Sequence, residues 1–279
     1  MNIAVIGLGL MGASLAGALH GFQEARIIGA DKDETVCHEA EKSGLVERAW
    51  TDPGEAIKEA DLVIFCVYAR HIPEIISANI GLLKPGMIMA DICGVKNQLY
   101  AKLKDIIPPF IDYIGLHPMA GKERDGFENA DPAIYRNSGF IICPGSGTSE
   151  KAVEMMKSLA AHIGASRLAV VSPEQQDEII AYTSSLMHIS AAGLCLDYNP
   201  SMTSAFTAGA FRDCTRVADI NAEAWTELLM DNRGYTLDSL EKYMASLELF
   251  RKALSEQDAA SLHSLLAAAG DNKRKMLTL

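Results

Sequence analysis

The chain opens with a short apolar run followed directly by a glycine-rich turn, and this feature constrains its fold most. Residues 2–6 read as a strand, and the Gly7–Gly12 segment, GLGLMG, then begins a helical pattern. In a dinucleotide-binding unit, Gly7 makes the tight turn, Gly9 lets the backbone approach a pyrophosphate, and Gly12 allows close packing of helix on strand. The phosphates rest on the N–H groups at the start of the helix. A glycine-rich turn that binds nothing is the alternative.

A second strand, predicted over residues 25–30, leads to the acidic residue expected of such a unit. Asp31 lies 19 residues after Gly12. A carboxylate at this place accepts hydrogen bonds from the adenosine ribose and repels a 2′-phosphate, which favours NAD over NADP. The neighbouring Lys32 softens that repulsion. The predicted cofactor residues are Gly7, Leu8, Gly9, Met11, Gly12 and Asp31.

Strand and helix patterns alternate over the first 165 or so residues, which predicts an α/β fold with a doubly wound parallel sheet of the Rossmann type. Further strands are predicted at 61–67, 87–92, 113–116 and 139–143, and helices at 11–21, 34–43, 73–81 and 150–163. From Ser172 onward only helical periodicity remains. We therefore expect a dinucleotide-binding domain over residues 1–170 and an all-helical domain for substrate binding and dimerisation over 171–279.

The helical part begins with a capping box at residues 172–175, SPEQ, and the helix is predicted to reach residue 196. On a helical wheel it is apolar nearly all round, apart from a narrow polar strip that carries Asp177, Ser184 and His188. Such a helix must be buried. The domain has little interior in which to bury it, so we expect a subunit interface and a homodimer formed through the helical domain.

The charge balance and the cysteines restrict the functional class. With 25 basic against 36 acidic residues the formal net charge is −11, which argues against nucleic-acid binding and requires local cations to capture an anionic substrate. Six scattered cysteines without a CxxC pair, and no signal-peptide pattern, predict a reducing, cytoplasmic location. No histidine spacing suggests a metal site, and no apolar run is long enough to predict a membrane span.

Two segments should lie at the carboxyl ends of strands, where such folds bind substrate. They are residues 91–96, DICGVK, and residues 115–123, GLHPMAGKE. His117 is the candidate general base, because imidazole titrates near neutral pH. A histidine that merely satisfies backbone groups is the alternative. Glu123, by its charged surroundings alone, would be solvated surface.

Two arginines four residues apart, Arg212 and Arg216, read as one face of a helix over residues 209–218. Paired guanidinium groups suit a substrate that carries carboxylates. The residues alone leave open an equal alternative, surface arginines paired with Asp213 and Asp219.

Five segments in order resemble the prephenate/arogenate dehydrogenase family, most closely prephenate dehydrogenase. They are GLGLMG, DICGVK, GLHPMAGKE, DEIIAYTSSLMH and FRDCTRVA followed by Trp225. The resemblance implies NAD-dependent oxidative decarboxylation of prephenate to 4-hydroxyphenylpyruvate in tyrosine biosynthesis, with His117 taking the ring-hydroxyl proton. It also implies that Arg216 binds a substrate carboxylate, and that Arg212, His188 and Glu123 line the substrate site.

Two departures from the family pattern bear on this resemblance. Gly94 stands where many members have serine, so a hydroxyl that assists the histidine is missing or supplied elsewhere. Ser185 replaces a family histidine, which leaves arogenate, or both substrates, as alternatives. Two further alternatives are a two-domain dehydrogenase acting on hydroxy or imino acids and a non-catalytic NAD-sensing protein. The paired arginines and the strand-end histidine argue against the sensor.

Overall fold

The structure is a computed structural model that describes residues 1–121, 124–197, 199 and 205–276. Its chain divides into two compact units, Met1–Asn232 and Arg233–Leu279. The predicted domain boundary after residue 170 stays a prediction. Glu123, one of the candidate site residues, lies outside the described residues.

The strands of the first unit form one sheet in the order β3-β2-β1-β4-β5-β6-β7-β8. They are β1 (Asn2–Ile6), β2 (Arg26–Ala30), β3 (Arg48–Trp50), β4 (Leu62–Phe65), β5 (Ile88–Asp91), β6 (Asp112–Met119), β7 (Gly139–Pro144) and β8 (Arg167–Val170). The predicted doubly wound sheet is confirmed, with one correction: β6 and β7 are antiparallel, while the other neighbours run parallel. Strands β3 and β8 were not predicted, because β3 has only three residues and the four residues of β8 coincide with the predicted domain boundary.

Helices cover both faces of the sheet. In the first unit they are α1 (Leu10–Ala18), α2 (Glu34–Lys42), α3 (Pro53–Glu59), α4 (Ile72–Ala78), α5 (Asn97–Leu103), α6 (Glu150–His162), α7 (Pro173–Ile180), α8 (Leu186–Leu196), α9 (Gly209–Thr215) and α10 (Ala222–Asp231). Apolar side chains of α1 and α6 pack on one face, and those of α3, α4 and α5 on the other. The middle of the sheet is therefore buried on both faces, which is why a central strand such as β4 is apolar and buried throughout.

The segment from Pro173 to Leu196 is helical but not one regular α-helix. Its predicted capping box is present, because the Ser172 side chain accepts from the Gln175 backbone while the Gln175 side chain accepts from the Ser172 backbone. Between α7 and α8 the residues Ala181–Ser185 form a π-helical turn. Such a turn inserts about one extra residue and rotates everything after it by about 100° relative to a regular helix.

Much of the apolar surface of this segment is uncovered in the single chain. Ile179, Tyr182, Met187 and Leu194 are each 44–55 % exposed. By length and composition, this is also the one helix among the described residues that could cross a bilayer. The apolar face that the sequence predicts is thus present and available to a partner.

The second unit is a pair of helices, α11 (Arg233–Ser255) and α12 (Ala259–Met276). The turn between them contains Gln257, whose φ of 54° is in the left-handed region. Asp258 caps α12 by accepting from the Ser261 backbone and hydroxyl at 3.0 and 2.7 Å.

Candidate active site

Two of the three motif glycines are required by the protein's own packing. Gly7 has a φ of 93°, and a Cβ there would lie 2.7 Å from the Cys66 carbonyl oxygen. A Cβ on Gly12 would lie only 1.8 Å from the Gly7 carbonyl oxygen. Any side chain at either position would push the turn off the sheet.

The third glycine, Gly9, is different. Its φ of −70° and ψ of −164° are accessible to any residue, and a Cβ there would meet nothing within 4 Å. Gly9 also precedes α1 without supplying a side-chain cap, so the first N–H groups of the helix have no capping side chain. Nothing within the chain requires glycine here. The open cradle above Gly9 fits a ligand whose phosphates approach the backbone at a helix N-terminus.

The remaining predicted cofactor residues surround this cradle. The Asp31 carboxylate follows β2 and accepts from the Leu8 backbone N–H at 2.7 Å and from the Asp33 N–H at 3.0 Å. The Leu8 side chain is fully buried, and a Cβ on Gly29 would meet it at 2.9 Å. Met11 is partly buried, and its carbonyl accepts from the Tyr135 hydroxyl at 2.7 Å. Leu8 and Met11 therefore shape the turn that carries the cradle.

His117 lies within β6, beyond the end of the neighbouring parallel strand. Strand β5 ends at Asp91, opposite Gly115, so the histidine projects past the carboxyl end of β5. The predicted strand ends at residue 116, whereas β6 continues to Met119 and includes His117. Its Nδ1 lies 2.5 Å from the Nε2 of Gln176 on α7. Burial, assisted by the charge of Lys96, lowers the pKa of His117 to about 3. The ring is thus neutral near pH 7, the state that a proton acceptor needs.

A buried ion pair supports the strand that carries His117. Lys96 is fully buried, pairs with Asp91, and donates to the Leu116 carbonyl at 2.7 Å. The Tyr113 hydroxyl donates to the same Asp91 carboxylate at 2.9 Å. A buried charge pair with its remaining hydrogen bonds satisfied holds its surroundings in one arrangement, and removal of one partner is costly.

The departure at Gly94 has a clear structural counterpart. A Cβ on Gly94 would lie 2.9 Å from the Leu228 Cδ1 and 4.0 Å from the His117 Cε1. A serine here would therefore stand beside the imidazole, but Leu228 of α10 occupies part of that space. The Gln176 Nε2 contacts the Gly94 carbonyl at 3.2 Å. The polar group that contacts the His117 ring thus comes from α7 instead of position 94.

A second imidazole lies against α10. His188 stacks on Trp225 with ring centroids 3.6 Å apart, and its Nδ1 is 2.9 Å from the Ser184 carbonyl. Burial lowers the pKa of His188, and the nearby charge of Arg216 lowers it further. Trp225 and Leu228 are three residues apart on α10 and so share a face. This face connects the Arg216–His188 pair to the surroundings of His117.

The two arginines differ from the prediction. Helix α9 ends at Thr215, and Arg216 begins a 3₁₀ turn in which Val217 leaves helical geometry, so one continuous helix over 209–218 is wrong. Both guanidinium side chains are exposed. Arg216 is brought close to His188, whereas no contact connects Arg212 to His117 or His188 among the described residues.

Ser185, the other family departure, is fully buried, and its Oγ has no hydrogen-bond partner in the described part of the chain. No group of three or more histidine, cysteine, aspartate or glutamate side chains is placed to hold a metal within the described ranges.

Gln176 is the site residue that the sequence did not indicate, and the π-helical turn explains why. On a regular helical wheel His188 lies within about 20° of Asp177, so the sequence predicts both residues on one polar strip. The extra residue of the turn rotates α8 by about 100°, so Gln176 comes into line with His188 instead. Asp177 turns aside and accepts from the Lys96 and Asn97 backbone N–H groups at 2.7 and 2.9 Å.

Comparison with known families identifies both parts of the chain. Residues 15–169 match the nucleotide-binding domain of prephenate dehydrogenase, and residues 172–268 match its dimerization domain. The chain belongs to the prephenate dehydrogenase family. The predicted resemblance and the predicted class of NAD(P)-dependent dehydrogenase are therefore confirmed.

Individual relatives differ in their named substrates. A cyclohexadienyl dehydrogenase of Zymomonas mobilis is 31 % identical over 264 residues, which cover 92 % of this chain and 89 % of that protein. A prephenate dehydrogenase structure from Aquifex aeolicus superposes with a TM-score of 0.88 at 23 % identity, covering 99 % of this chain and 98 % of the other. A Synechocystis arogenate dehydrogenase structure gives a TM-score of 0.84 at 26 % identity, covering 99 % and 100 %.

Proposed function

We propose that the protein catalyses the NAD-dependent oxidative decarboxylation of prephenate to 4-hydroxyphenylpyruvate. The observation that carries this proposal is the neutral imidazole of His117, which lies past the carboxyl end of β5. Through α10 it is connected to the Arg216–His188 pair. A proton acceptor at one end of a site and a guanidinium at the other suit a hydroxylated ring that carries carboxylates.

Within this reaction the chain binds and orients the substrate and moves one proton. Arg216 pairs with a substrate carboxylate and holds the carbinol C–H toward the nucleotide domain. His117 accepts the ring-hydroxyl proton as the C–H electron pair leaves with the hydride. Breaking the bond to the ring carboxylate releases carbon dioxide and returns an electron pair to the ring. The proton on His117 then passes to the phenolate oxygen. Bound NAD would supply the hydride acceptor.

The preference for NAD over NADP rests on Asp31. Two backbone N–H groups hold its carboxylate at the end of β2, where it would repel a 2′-phosphate. The prephenate dehydrogenase of Aquifex aeolicus, which has the same fold, was crystallised with NAD+. We expect kcat/KM to be higher with NAD, and a higher kcat/KM with NADP would overturn the preference.

Arogenate is the second candidate substrate, and the hydrogen bonding of His188 favours it. A carbonyl oxygen can only accept, so the contact with Ser184 requires a proton on Nδ1 and leaves Nε2 as an acceptor in the neutral ring. An acceptor suits the ammonium side chain of arogenate better than the keto side chain of prephenate. The Zymomonas relative is named for cyclohexadienyl substrates in general.

We also propose that the protein is a cytoplasmic homodimer. The exposed apolar face of α7 and α8 supports this, because it lies within the part of the chain that matches the dimerization domain. All six cysteines are free thiols, in keeping with a reducing compartment. Light scattering at micromolar concentration tests the dimer, and a monomer there would contradict it.

Steady-state kinetics with prephenate and arogenate, each with NAD and NADP, test the proposed function. We expect the highest kcat/KM with prephenate and NAD. A higher value with arogenate would reverse the substrate assignment. No reduction of NAD with either substrate, despite NAD binding, would favour the sensing role.

A further inference from the structure

The side chain of Gln176 is enclosed between the His117 ring and the Gly94 backbone. It is fully buried, and its Nε2 is 2.5 Å from Nδ1 of His117 and 3.2 Å from the Gly94 carbonyl oxygen. The Oε1 of the same amide is buried and has no hydrogen-bond partner in the part of the chain that the structure describes. Buried polar atoms are nearly always paired, so an orphaned atom beside the proposed base calls for an explanation.

The orientation of this amide determines which nitrogen of His117 carries the proton. With Nε2 of the glutamine toward the ring, Nδ1 accepts, and the neutral imidazole must hold its proton on the other nitrogen. A ring in that tautomer can donate to a substrate hydroxyl but cannot take its proton. Half a turn of the amide brings Oε1 to Nδ1, which then donates, and the ring Nε2 keeps its lone pair.

We propose that Gln176 is a positioning residue that selects the tautomer of His117, and that the base form has the glutamine Oε1 turned to Nδ1. This inference rests on the proposed function. In the base form the hydroxyl proton adds to Nε2 of the ring, and the Nδ1 proton stays hydrogen-bonded to Gln176 throughout. In the base form Oε1 gains the Nδ1–H of His117 as its partner, and Nε2 leaves its contacts with the His117 ring and the Gly94 carbonyl for the position that Oε1 had.

Other groups near the ring do not offer this control. Gly94 has no side chain, and the α10 residue that lies against it is the apolar Leu228. Lys96 is paired with Asp91, and the Asp177 carboxylate is occupied by two backbone N–H groups. The charge of Arg216 acts on the second imidazole, His188. Among the described residues, Gln176 is the one side chain hydrogen-bonded to the His117 ring.

Three substitutions separate tautomer selection from packing. In Gln176→Glu the carboxylate only accepts, which enforces the proton on Nδ1, and its charge raises the pKa of the ring. We expect kcat within about fivefold of wild type, with the acid limb of kcat/KM about one pH unit or more higher. In Gln176→Leu we expect kcat to fall by at least about tenfold, with KM changed by less than about threefold. Gln175→Leu, which alters only the capping box, is the matched control.

A purely structural role of Gln176 predicts different results. If Gln176 only fills space, Glu and Leu both lower activity through stability, and neither moves the acid limb relative to Gln175→Leu. That result would overturn the inference. An acid limb that stays in place in Gln176→Glu would do the same, even if Gln176→Leu is inactive.

The tautomer can also be measured without turnover. Isotope-edited nitrogen NMR of histidine-labelled protein, with His117 assigned by subtraction of the His117→Asn spectrum, reports which nitrogen is protonated. We expect an unprotonated Nε2 in Gln176→Glu and a different tautomer ratio in wild type. The same tautomer in wild type, Gln176→Glu and Gln176→Leu would contradict the inference. If the wild type oxidised neither prephenate nor arogenate, the proposed function would fail, whereas this comparison would still decide the tautomer question.

Discussion

Gly9 offers the sharpest test of the nucleotide site, because the fold does not need glycine there. For Gly9→Ala, the loss of backbone freedom in the unfolded chain stabilises the protein by about 0.4–1 kcal/mol. Alanine is a poorer N-cap than glycine by a similar amount, about 0.5 kcal/mol. Since the new methyl group meets nothing within 4 Å, the free energy of unfolding should stay within about 1 kcal/mol of wild type.

Binding of NAD should respond in the opposite way. The new methyl group occupies the cradle through which the phosphates reach the helix N-terminus, so we expect Kd for NAD to rise by at least about tenfold, or about 1.4 kcal/mol. Urea unfolding and isothermal titration calorimetry measure the two quantities on the same sample. Gly81→Ala is the matched control, because a Cβ there also meets nothing within 4 Å. A Gly9→Ala protein that binds NAD as tightly as wild type would refute the cradle.

Three further predictions concern the substrate site and its support. First, the pKa of His117 is lowered to about 3 in the folded protein, so between about pH 6.5 and 3 the unfolded chain binds one proton more at this residue than the folded chain does. The free energy of unfolding of wild type should therefore fall as pH falls through this range, by at most about 1.4 kcal/mol per pH unit. His117→Asn should lose less stability than wild type between pH 7 and pH 4.5 in urea titrations, and equal losses would contradict the burial argument. Second, Arg216→Ala should chiefly raise KM for prephenate, by about tenfold or more, while Arg251→Ala on the exposed face of α11 should not; an unchanged KM would remove Arg216 from substrate binding. Third, Lys96→Met leaves the buried Asp91 carboxylate without its ion-pair partner and should lower the free energy of unfolding by about 3–5 kcal/mol. The double variant Lys96→Met/Asp91→Asn removes that charge and should recover part of the loss. A loss below about 1 kcal/mol would show that the pair does not support β6.

The parts of the fold that follow local rules were predictable from the sequence. The first strand, the glycine turn and the capping box at Ser172 depend on neighbouring residues, and the structure has all three. The antiparallel β6–β7 pair was not predictable, because the direction of a strand relative to its neighbour depends on the path of the chain between them. Strand β8 was not predicted, because its short apolar run coincides with the predicted domain boundary and shows no alternation of apolar and polar residues.

The residues of the candidate site also differ in how well the sequence predicts them. His117 and Arg216 carry chemical groups that stand out in any sequence. Gln176 does not, since an uncharged amide in a helix is ordinary, and only the π-helical turn aligns it with His188. The end of α9 at Thr215 was likewise hidden, because Arg216 and Val217 have no residue pattern that marks a helix end. Irregular turns therefore determine where Gln176 and Arg216 lie, and a regular helical pattern does not predict such turns.

The proposed function requires that His117 take a proton from a substrate held with NAD in this protein. The most direct measurement is the reduced-nicotinamide absorbance after prephenate is added to wild type and to His117→Asn, both saturated with NAD. We predict a steady rise for wild type and a rate lower by about 10²–10⁴-fold for the variant, with KM nearly unchanged. A rate in His117→Asn within about threefold of wild type would contradict the claim.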